Sequence, residues 1–306
     1  FLFTYTNQIG TMSPTIAKRA WKDWTEEDSG EYDITLEVHG DQMSQTTTEE
    51  GTTPIDLVVV IDKSGSMKGS IGEIKKAISN NSSWPGTQQQ DIISSLPEGS
   101  HLAVVAYSDD DMNGGVISDR SRYNERYTDV LKGQSPYYYE TTGWTTIGGD
   151  AENTINSFLY GWHGYGGISA SGGTHIAGGV VGANKLLSDS EIRESSNRKV
   201  VILMTDGAPT YAIDEEQTID WWDGSTYGKV VGNGGQTWGQ TSEKIKEITD
   251  QQFRKLKENS TQPAIYVVGY GISSSDETWL EESQNINEYK GSNDLNEIIE
   301  AMLNYV

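Results

Sequence analysis

The chain has 306 residues, enough for one large α/β domain with insertions or for one domain and a fragment of another. Its formal charge of −23 and its pI near 4.4 argue against binding to nucleic acid and favour a cation as partner. It contains no cysteine, so disulfides and thiolate metal sites are excluded. No transmembrane run is present, and we expect no direct membrane insertion. Because the sequence begins without Met, we expect a piece of a longer protein whose signal and anchor lie outside it.

The first 53 residues do not follow the pattern of the rest of the chain. Ile34, Leu36 and Val38 alternate with polar residues, which predicts a half-exposed antiparallel strand. The segment at 20–24 is its expected partner. We therefore predict a β segment over 1–53, separate from a main domain over 54–306.

From residue 55 onward, predicted strands and helices alternate, which indicates a mostly parallel sheet with helices on both faces. The fold class is therefore α/β, Rossmann-like and doubly wound. Apolar runs predict strands at 57–61, 101–108, 199–206 and 263–270. Apolar residues at helical spacing predict helices at 151–159, 176–187, 245–256 and 295–302.

Two segments, at about 109–148 and 209–240, are longer than ordinary loops of such a domain. Both are rich in Gly and aromatic residues, and a further aromatic loop lies between 161 and 173. Their aromatic residues either build small cores of their own or form a recognition surface. On the second interpretation, the ligand-binding residues are Tyr138, Trp144, Trp162, Tyr165, Trp221, Trp222 and Trp238.

The most informative motif follows the first core strand. Asp62, Ser64 and Ser66 come directly after the run Leu57–Ile61, and ligands of open α/β sheets bind at the carboxyl ends of the strands. Three hard oxygen ligands at a spacing of two, with Gly65 allowing the loop to turn, can face one small divalent cation. This predicts a metal site rather than a phosphate-binding loop.

Two further segments carry similar groups. Thr174 stands at the junction between a Gly-rich loop and a predicted helix, and Asp206 follows the strand at 199–206. The order Asp-x-Ser-x-Ser, a downstream Thr and a later Thr-Asp-Gly resembles the metal-ion-dependent adhesion site of von Willebrand factor A domains. The resemblance implies that fold for residues 54–306, with the long segments as two inserted arms.

The same resemblance implies what the site does. Asp62, Ser64, Ser66, Thr174 and Asp206 would hold Mg²⁺, or Mn²⁺ or Ca²⁺, directly or through water, and a carboxylate of a partner protein would complete the coordination. It also implies that ligand binding can shift the Thr174 loop and the last helix. We expect Lys63 and Lys68 to be exposed lysines that keep the chain soluble. The alternative is that they add positive charge at the rim of the site.

The two arms and the amino-terminal strands together resemble the tip adhesins of sortase-assembled Gram-positive pili. That resemblance implies a flanking immunoglobulin-like stalk domain for residues 1–53 and an extracellular location on the cell wall or pilus tip. It implies two kinds of partner, namely a host extracellular-matrix protein or glycoprotein and other pilus subunits. The expected function is metal-dependent adhesion, without enzymatic activity.

Two other functions remain open. The domain could be a structural or fibre-capping unit that binds another bacterial surface protein. It could also be a hydrolase with Ser64 or Ser66 as nucleophile and His101 or His175 as base, although no Gly-x-Ser-x-Gly elbow is present. We expect His175 to be an exposed residue at the start of a helix.

Overall fold

The computed structural model divides the chain into two compact units, Phe1–Gly51 and Thr52–Val306. The residues that it describes are 2–4, 15–21, 33–39, 53–80, 91–108, 116–118, 126–129, 139–162, 165–220, 226–235 and 239–306. The strands before residue 53, those at 116–118 and 126–129, and residues 162, 165–166, 219–220 and 227 are described by their backbone only.

The first unit contains an antiparallel sheet of three strands, β1 (Leu2–Thr4), β2 (Thr15–Trp21) and β3 (Asp33–His39), in that order. The strand predicted from the alternation of Ile34, Leu36 and Val38 is therefore present as β3. Its partner β2 includes Ala20 and Trp21 of the predicted pairing segment. That these strands belong to an immunoglobulin-like stalk stays a prediction.

The second unit is built around a mostly parallel sheet. Its strands are β4 (Ile55–Asp62), β5 (His101–Tyr107), β8 (Glu140–Thr141), β9 (Thr145–Thr146), β12 (Arg198–Thr205), β15 (Ala264–Tyr270) and β16 (Glu288–Ser292). The order across the sheet is β16-β15-β12-β4-β5-β8, and β9 also pairs with β5. Strands β16 to β5 are parallel, whereas β8 and β9 run antiparallel to β5.

Helices cover both faces of this sheet. They are α1 (Ile71–Ile78), α2 (Ile92–Ser95), α3 (Ala151–Tyr160), α4 (Ile176–Leu187), α5 (Ser190–Glu194), α6 (Gln240–Lys257), α7 (Ser274–Glu282) and α8 (Leu295–Asn304), with a short 3-10 helix at Gly65–Gly69. Leu57, Val59 and Ile61 face α1, α2, α3 and α8. Val58 and Val60 face α4, α5, α6 and α7. Alternate burial on two helical layers defines the predicted doubly wound α/β class.

The described strands of the two long insertions pair with each other. The first contributes β6 (Val116–Ser118) and β7 (Arg126–Asp129), and the second contributes β13 (Tyr211–Asp220) and β14 (Thr226–Gly232). These strands form one antiparallel sheet in the order β13-β14-β7-β6, in which β14 pairs with β7 across the two insertions. We call this four-stranded sheet the arm sheet. A small hairpin, β10 (Gly161–Trp162) with β11 (Tyr165–Gly166), lies between α3 and α4.

Helix α4 packs so closely on the central sheet that it requires a glycine. A Cβ atom on Gly179 would lie 2.5 Å from Tyr107 Cδ1 and 2.7 Å from Val60 Cγ1, and both of these side chains are fully buried. We expect Gly179→Ala to lower the free energy of unfolding by about 1–3 kcal/mol, because the buried neighbours have to shift. Urea denaturation measures this change.

Gly72→Ala is the matched control for this substitution. Gly72 also lies within a helix, but nothing is within 4 Å of a Cβ placed there. Alanine should therefore stabilise the chain by about 0.5–1 kcal/mol, because it restricts the unfolded backbone. Equal effects of the two substitutions would contradict the close packing of α4.

Candidate functional site

The candidate site lies in the crevice between β4 and β12. From β4 the chain continues to its neighbour β5, and it later returns to β12 on the other side of β4. At such a point the carboxyl ends of two neighbouring strands border an open crevice, where α/β sheets bind ligands. Asp62 is the last residue of β4 and Asp206 follows β12 directly. The topology thus brings two carboxylates to one edge.

Hydroxyl groups link the two carboxylates. Ser66 Oγ donates a hydrogen bond to Asp206 Oδ1 at 2.8 Å, and Ser64 Oγ lies 3.0 Å from Ser66 Oγ. The backbone N–H of Ser64 donates to Asp62 Oδ1 at 2.8 Å. Four of the five predicted ligands therefore form a continuous chain of contacts.

Asp62 is the most enclosed member of this group. Its side chain is fully buried, and Thr205 Oγ1 donates to Asp62 Oδ2 at 3.0 Å. Burial, and then the negative charge of Asp206, raise the pKa of Asp62 to about 7. Burial also raises the pKa of Asp206. Both carboxylates are costly to ionise, and a divalent cation bound between them would offset that cost.

Backbone contacts hold the Thr174 loop against this group. The N–H of Ser171 donates to Lys63 O and that of Gly65 to Gly172 O, both at 2.8 Å. Thr174 is 5% exposed, and His175 separates it from the first residue of α4. Its side chain lines a cleft of about 640 Å³ together with Ser66 and Asp206. Three of the five predicted ligands thus line one cleft, and Asp62 and Ser64 are joined to them through the contact of Ser64 with Ser66.

The chemistry of these groups fits a hard cation. Over the residues that the structure describes, no three His, Asp or Glu side chains converge on a common point, so a metal here would depend on hydroxyl oxygens. Ser and Thr hydroxyls with two carboxylates form the all-oxygen ligand set that Mg²⁺ and Ca²⁺ prefer. Binding of a metal stays a prediction, and the residues that would hold it are Asp62, Ser64, Ser66, Thr174 and Asp206.

Two expectations about residues beside the site are wrong. Lys63 is not an exposed lysine: it is 5% exposed, and its Nζ lies 2.9 Å from Glu140 Oε1. His175 is not exposed either, because α4 packs its ring edge-on to Tyr211 with centroids 4.9 Å apart. Burial lowers the pKa of His175 to about 3. The partners that bury these two residues, Glu140 and Tyr211, belong to the two insertions. The residues next to Lys63 and His175 in the sequence give no sign of these contacts. Lys68 is exposed as expected.

Neither histidine of the hydrolase alternative is placed as a base. His101 begins β5 and is in register with Asp56, whereas Asp62 pairs with Tyr107. Six residues of strand therefore separate it from the site, about 20 Å at 3.3 Å per residue.

His101 instead contacts a second cluster of polar side chains. Its Nδ1 lies 2.7 Å from Asp56 Oδ1, and Lys199 and Asn197 also contact Asp56. Burial favours the neutral form of Asp56, but these partners outweigh it and lower the pKa of Asp56. His175 is enclosed against Tyr211.

The aromatic residues proposed to bind ligand are mostly outside the described part of the chain. Tyr138, Trp221, Trp222 and Trp238 lie outside the described residues, and of Trp162 and Tyr165 only the backbone is described, in the β10–β11 hairpin. Trp144 is half-buried against the α4 side of the core, and its Nε1 donates to Leu186 O at 3.0 Å. These contacts favour a packing role for Trp144, and ligand binding by any of the seven residues stays a prediction.

Three residues that contact the site were not predicted. Thr205 binds Asp62, Thr210 binds the backbone of Thr174, and Glu140 pairs with Lys63. Thr205 had a detectable signal, because it precedes Asp206 at the end of a strand. Thr210 and Glu140 had none, because their partners are distant in the sequence.

Comparison with solved structures finds similarity to a pilus adhesin, SpaC from Lactobacillus rhamnosus GG. One crystal structure of it matches with 18% identity and a TM-score of 0.50, and the match covers 99% of this chain and 35% of the adhesin chain. A second, of an open conformation, matches with 17% identity and a TM-score of 0.49 over 99% and 34% of the two chains.

At this identity the first match shows a shared fold and no more, and the chain spans about a third of the adhesin's length. No protein-family model and no curated protein matches the chain. In the part of the chain that the structure describes, no helix has both the length and the apolar character needed to span a membrane.

Proposed function

We propose that this chain is a metal-dependent adhesion module of von Willebrand factor A type, from a bacterial surface or pilus protein. The single observation that carries the proposal is the cluster at the switch point of the sheet, where Asp62, Ser64, Ser66 and Asp206 form one chain of contacts and Thr174 lines the same cleft as Ser66 and Asp206. Similarity of fold to a pilus adhesin supports the choice of surface protein. The expected location is extracellular, on the cell wall or pilus tip of a Gram-positive bacterium.

The residues of the chain prepare the site for an acidic partner. Asp62 is fixed through both carboxylate oxygens by Ser64 and Thr205, while the Ser66 hydroxyl and Asp206 border the open cleft. Bound Mg²⁺ would supply a Lewis-acidic centre that accepts a carboxylate of the partner. The net charge of −23 repels acidic proteins only within a Debye length of roughly 8 Å at physiological salt, and a local cation reverses that sign.

Calorimetry with the complete chain tests the proposal first. Titration with Mg²⁺, Mn²⁺ or Ca²⁺ should show uptake of one ion per chain, and EDTA should reverse it. The chain should then bind at least one member of an array of host matrix proteins and glycoproteins in Mg²⁺ but not in EDTA.

The possible results separate the candidate functions. Absence of uptake of all three cations would refute the metal site. Metal uptake with binding only to other pilus or cell-wall proteins would favour the fibre-capping alternative. Binding to host proteins that is insensitive to EDTA would show an adhesin that works without the proposed metal, through other surfaces of the chain.

A further inference from the structure

The Thr174 loop is bonded directly to the base of the second insertion. The N–H of Thr174 donates to Thr210 Oγ1 at 2.9 Å, and the N–H of Thr210 donates to Thr174 O at 2.9 Å. Thr210 is the residue before β13, which begins at Tyr211. One residue of the insertion therefore satisfies both backbone polar groups of a predicted metal ligand.

Strands β13 and β14 of the second insertion form a hairpin. The Thr174 loop also contacts the backbone just after β14 directly. A Cβ atom on Gly173 would lie 2.4 Å from the Cα of Gly234, so the two backbones are in direct contact. Gly234 lies two residues after the end of β14. The last residue of β14, Gly232, pairs with the first residue of β13, Tyr211. Because contacting backbones cannot deform independently in a close-packed interior, a shift of the Thr174 loop has to move the base of the hairpin.

The first insertion also contacts the site. Strand β14 pairs with β7 of the first insertion, and that insertion returns to the central sheet at β8, where Glu140 pairs with Ala106. Glu140 Oε1 accepts a hydrogen bond from Lys63 Nζ at 2.9 Å. Lys63 lies between Asp62 and Ser64. Each insertion is thus bonded to one loop of the site where it joins the central domain, the second to the Thr174 loop and the first to the Asp62 loop.

We propose that Thr210 is a positioning residue for the metal site, and that it couples occupancy of the site to the order of the arm sheet. The inference rests on the proposed metal site and adds a regulatory connection to it. Because coupling is reciprocal, a partner that orders the arm sheet tightens metal binding, and the metal in turn prepares the arm sheet for a partner. Partner recognition by the arms and by the cleft is then one cooperative event.

The test compares three variants, two at Thr210 and one at Thr218 on β13. Thr210→Val keeps the branched shape and removes the hydroxyl that accepts from Thr174, and Thr210→Ser restores a hydroxyl. Thr218→Val makes the same chemical change on an exposed position of β13. Calorimetry should show Mg²⁺ affinity about 3- to 10-fold weaker in Thr210→Val, the usual effect of losing one hydrogen bond. Thr210→Ser should recover most of the affinity, and Thr218→Val should match the wild type.

Hydrogen exchange supplies a readout that a purely structural role would not change. Mg²⁺ should slow amide exchange across β14 in the wild type and in Thr210→Ser, and this response should be lost in Thr210→Val. Melting temperatures in EDTA identify any variant that is simply unfolded. If Thr210→Val does not fold, Thr210→Ala replaces it, because alanine also removes the hydroxyl that accepts from the N–H of Thr174.

The results distinguish the two proposals. Failure of the wild-type chain to take up Mg²⁺ overturns the metal site together with the coupling. Normal Mg²⁺ uptake by the wild type, with unchanged affinity and an unchanged β14 response in folded Thr210→Val, overturns the coupling alone. If Thr210→Val does not fold, unchanged Mg²⁺ affinity and an unchanged β14 response in folded Thr210→Ala have the same consequence.

Discussion

Replacing Asp62 with Asn should abolish Mg²⁺ binding at concentrations that saturate the wild type. Asparagine keeps the shape and the Oδ1 acceptor that the Ser64 N–H uses, but it removes the buried negative charge beside Asp206. We expect affinity to fall by about 100-fold or more, at the upper end of what loss of a metal-supporting group costs. Calorimetry measures the loss directly. In thermal unfolding, the stabilisation of about 2.7 kcal/mol that a ligand gives at 100 times its dissociation constant should fall to about 0.4 kcal/mol or less.

Asp294→Asn is the control for this substitution. Asp294 caps α8, where its Oδ1 accepts from the N–H of Asn296 at 2.9 Å, and it is exposed. The variant removes an equal charge from the chain and should bind Mg²⁺ as the wild type does. Equal weakening by both substitutions would attribute the effect to net charge, and undiminished binding by Asp62→Asn would remove Asp62 from the site.

Without a divalent cation, the chain should lose stability as the pH rises from about 4 to about 7. The pKa of Asp62 is raised from 3.8 to about 7 in the folded chain, so the folded state holds a proton that the unfolded state has released in this range. The contribution of Asp62 is therefore complete below about pH 4 and is lost through about pH 7. At about 1.4 kcal/mol per pH unit, the change in the free energy of unfolding is about 4 kcal/mol. Urea denaturation in EDTA at several pH values measures it.

Asp62→Asn isolates this contribution, because the variant has no carboxyl to protonate and its stability should depend much less on pH in this range. Asp56 acts in the opposite direction, since its lowered pKa removes stability only below about pH 4. Saturating Mg²⁺ should reverse the slope for the wild type, because the ion binds the deprotonated carboxylates. If the free energy of unfolding in EDTA depends on pH in the same way for the wild type and Asp62→Asn, the pKa of Asp62 is not raised in the folded chain.

Much of the fold was predictable because its signals are local. The apolar run at 57–61 and the helical spacing of Leu295, Ile298 and Ile299 were enough to identify β4 and α8. Similar runs identified β5, β12 and β15. The positions of Asp62 and Asp206 at strand ends followed from the same runs, and parallel topology then required the two residues to share one edge.

The sequence alone determined the fold class, because periodicity and strand ends are properties of neighbouring residues. The full set of candidate metal ligands came from the resemblance of its motifs to a known adhesion site. Only the tertiary structure decided that the two insertions join in one arm sheet, that Lys63 pairs with Glu140, and that His175 is buried against Tyr211. In each case the two contacting partners are at least 36 residues apart in the sequence, as Thr174 and Thr210 are. Contacts over such separations depend on how the whole chain closes, so no local pattern of residue types encodes them.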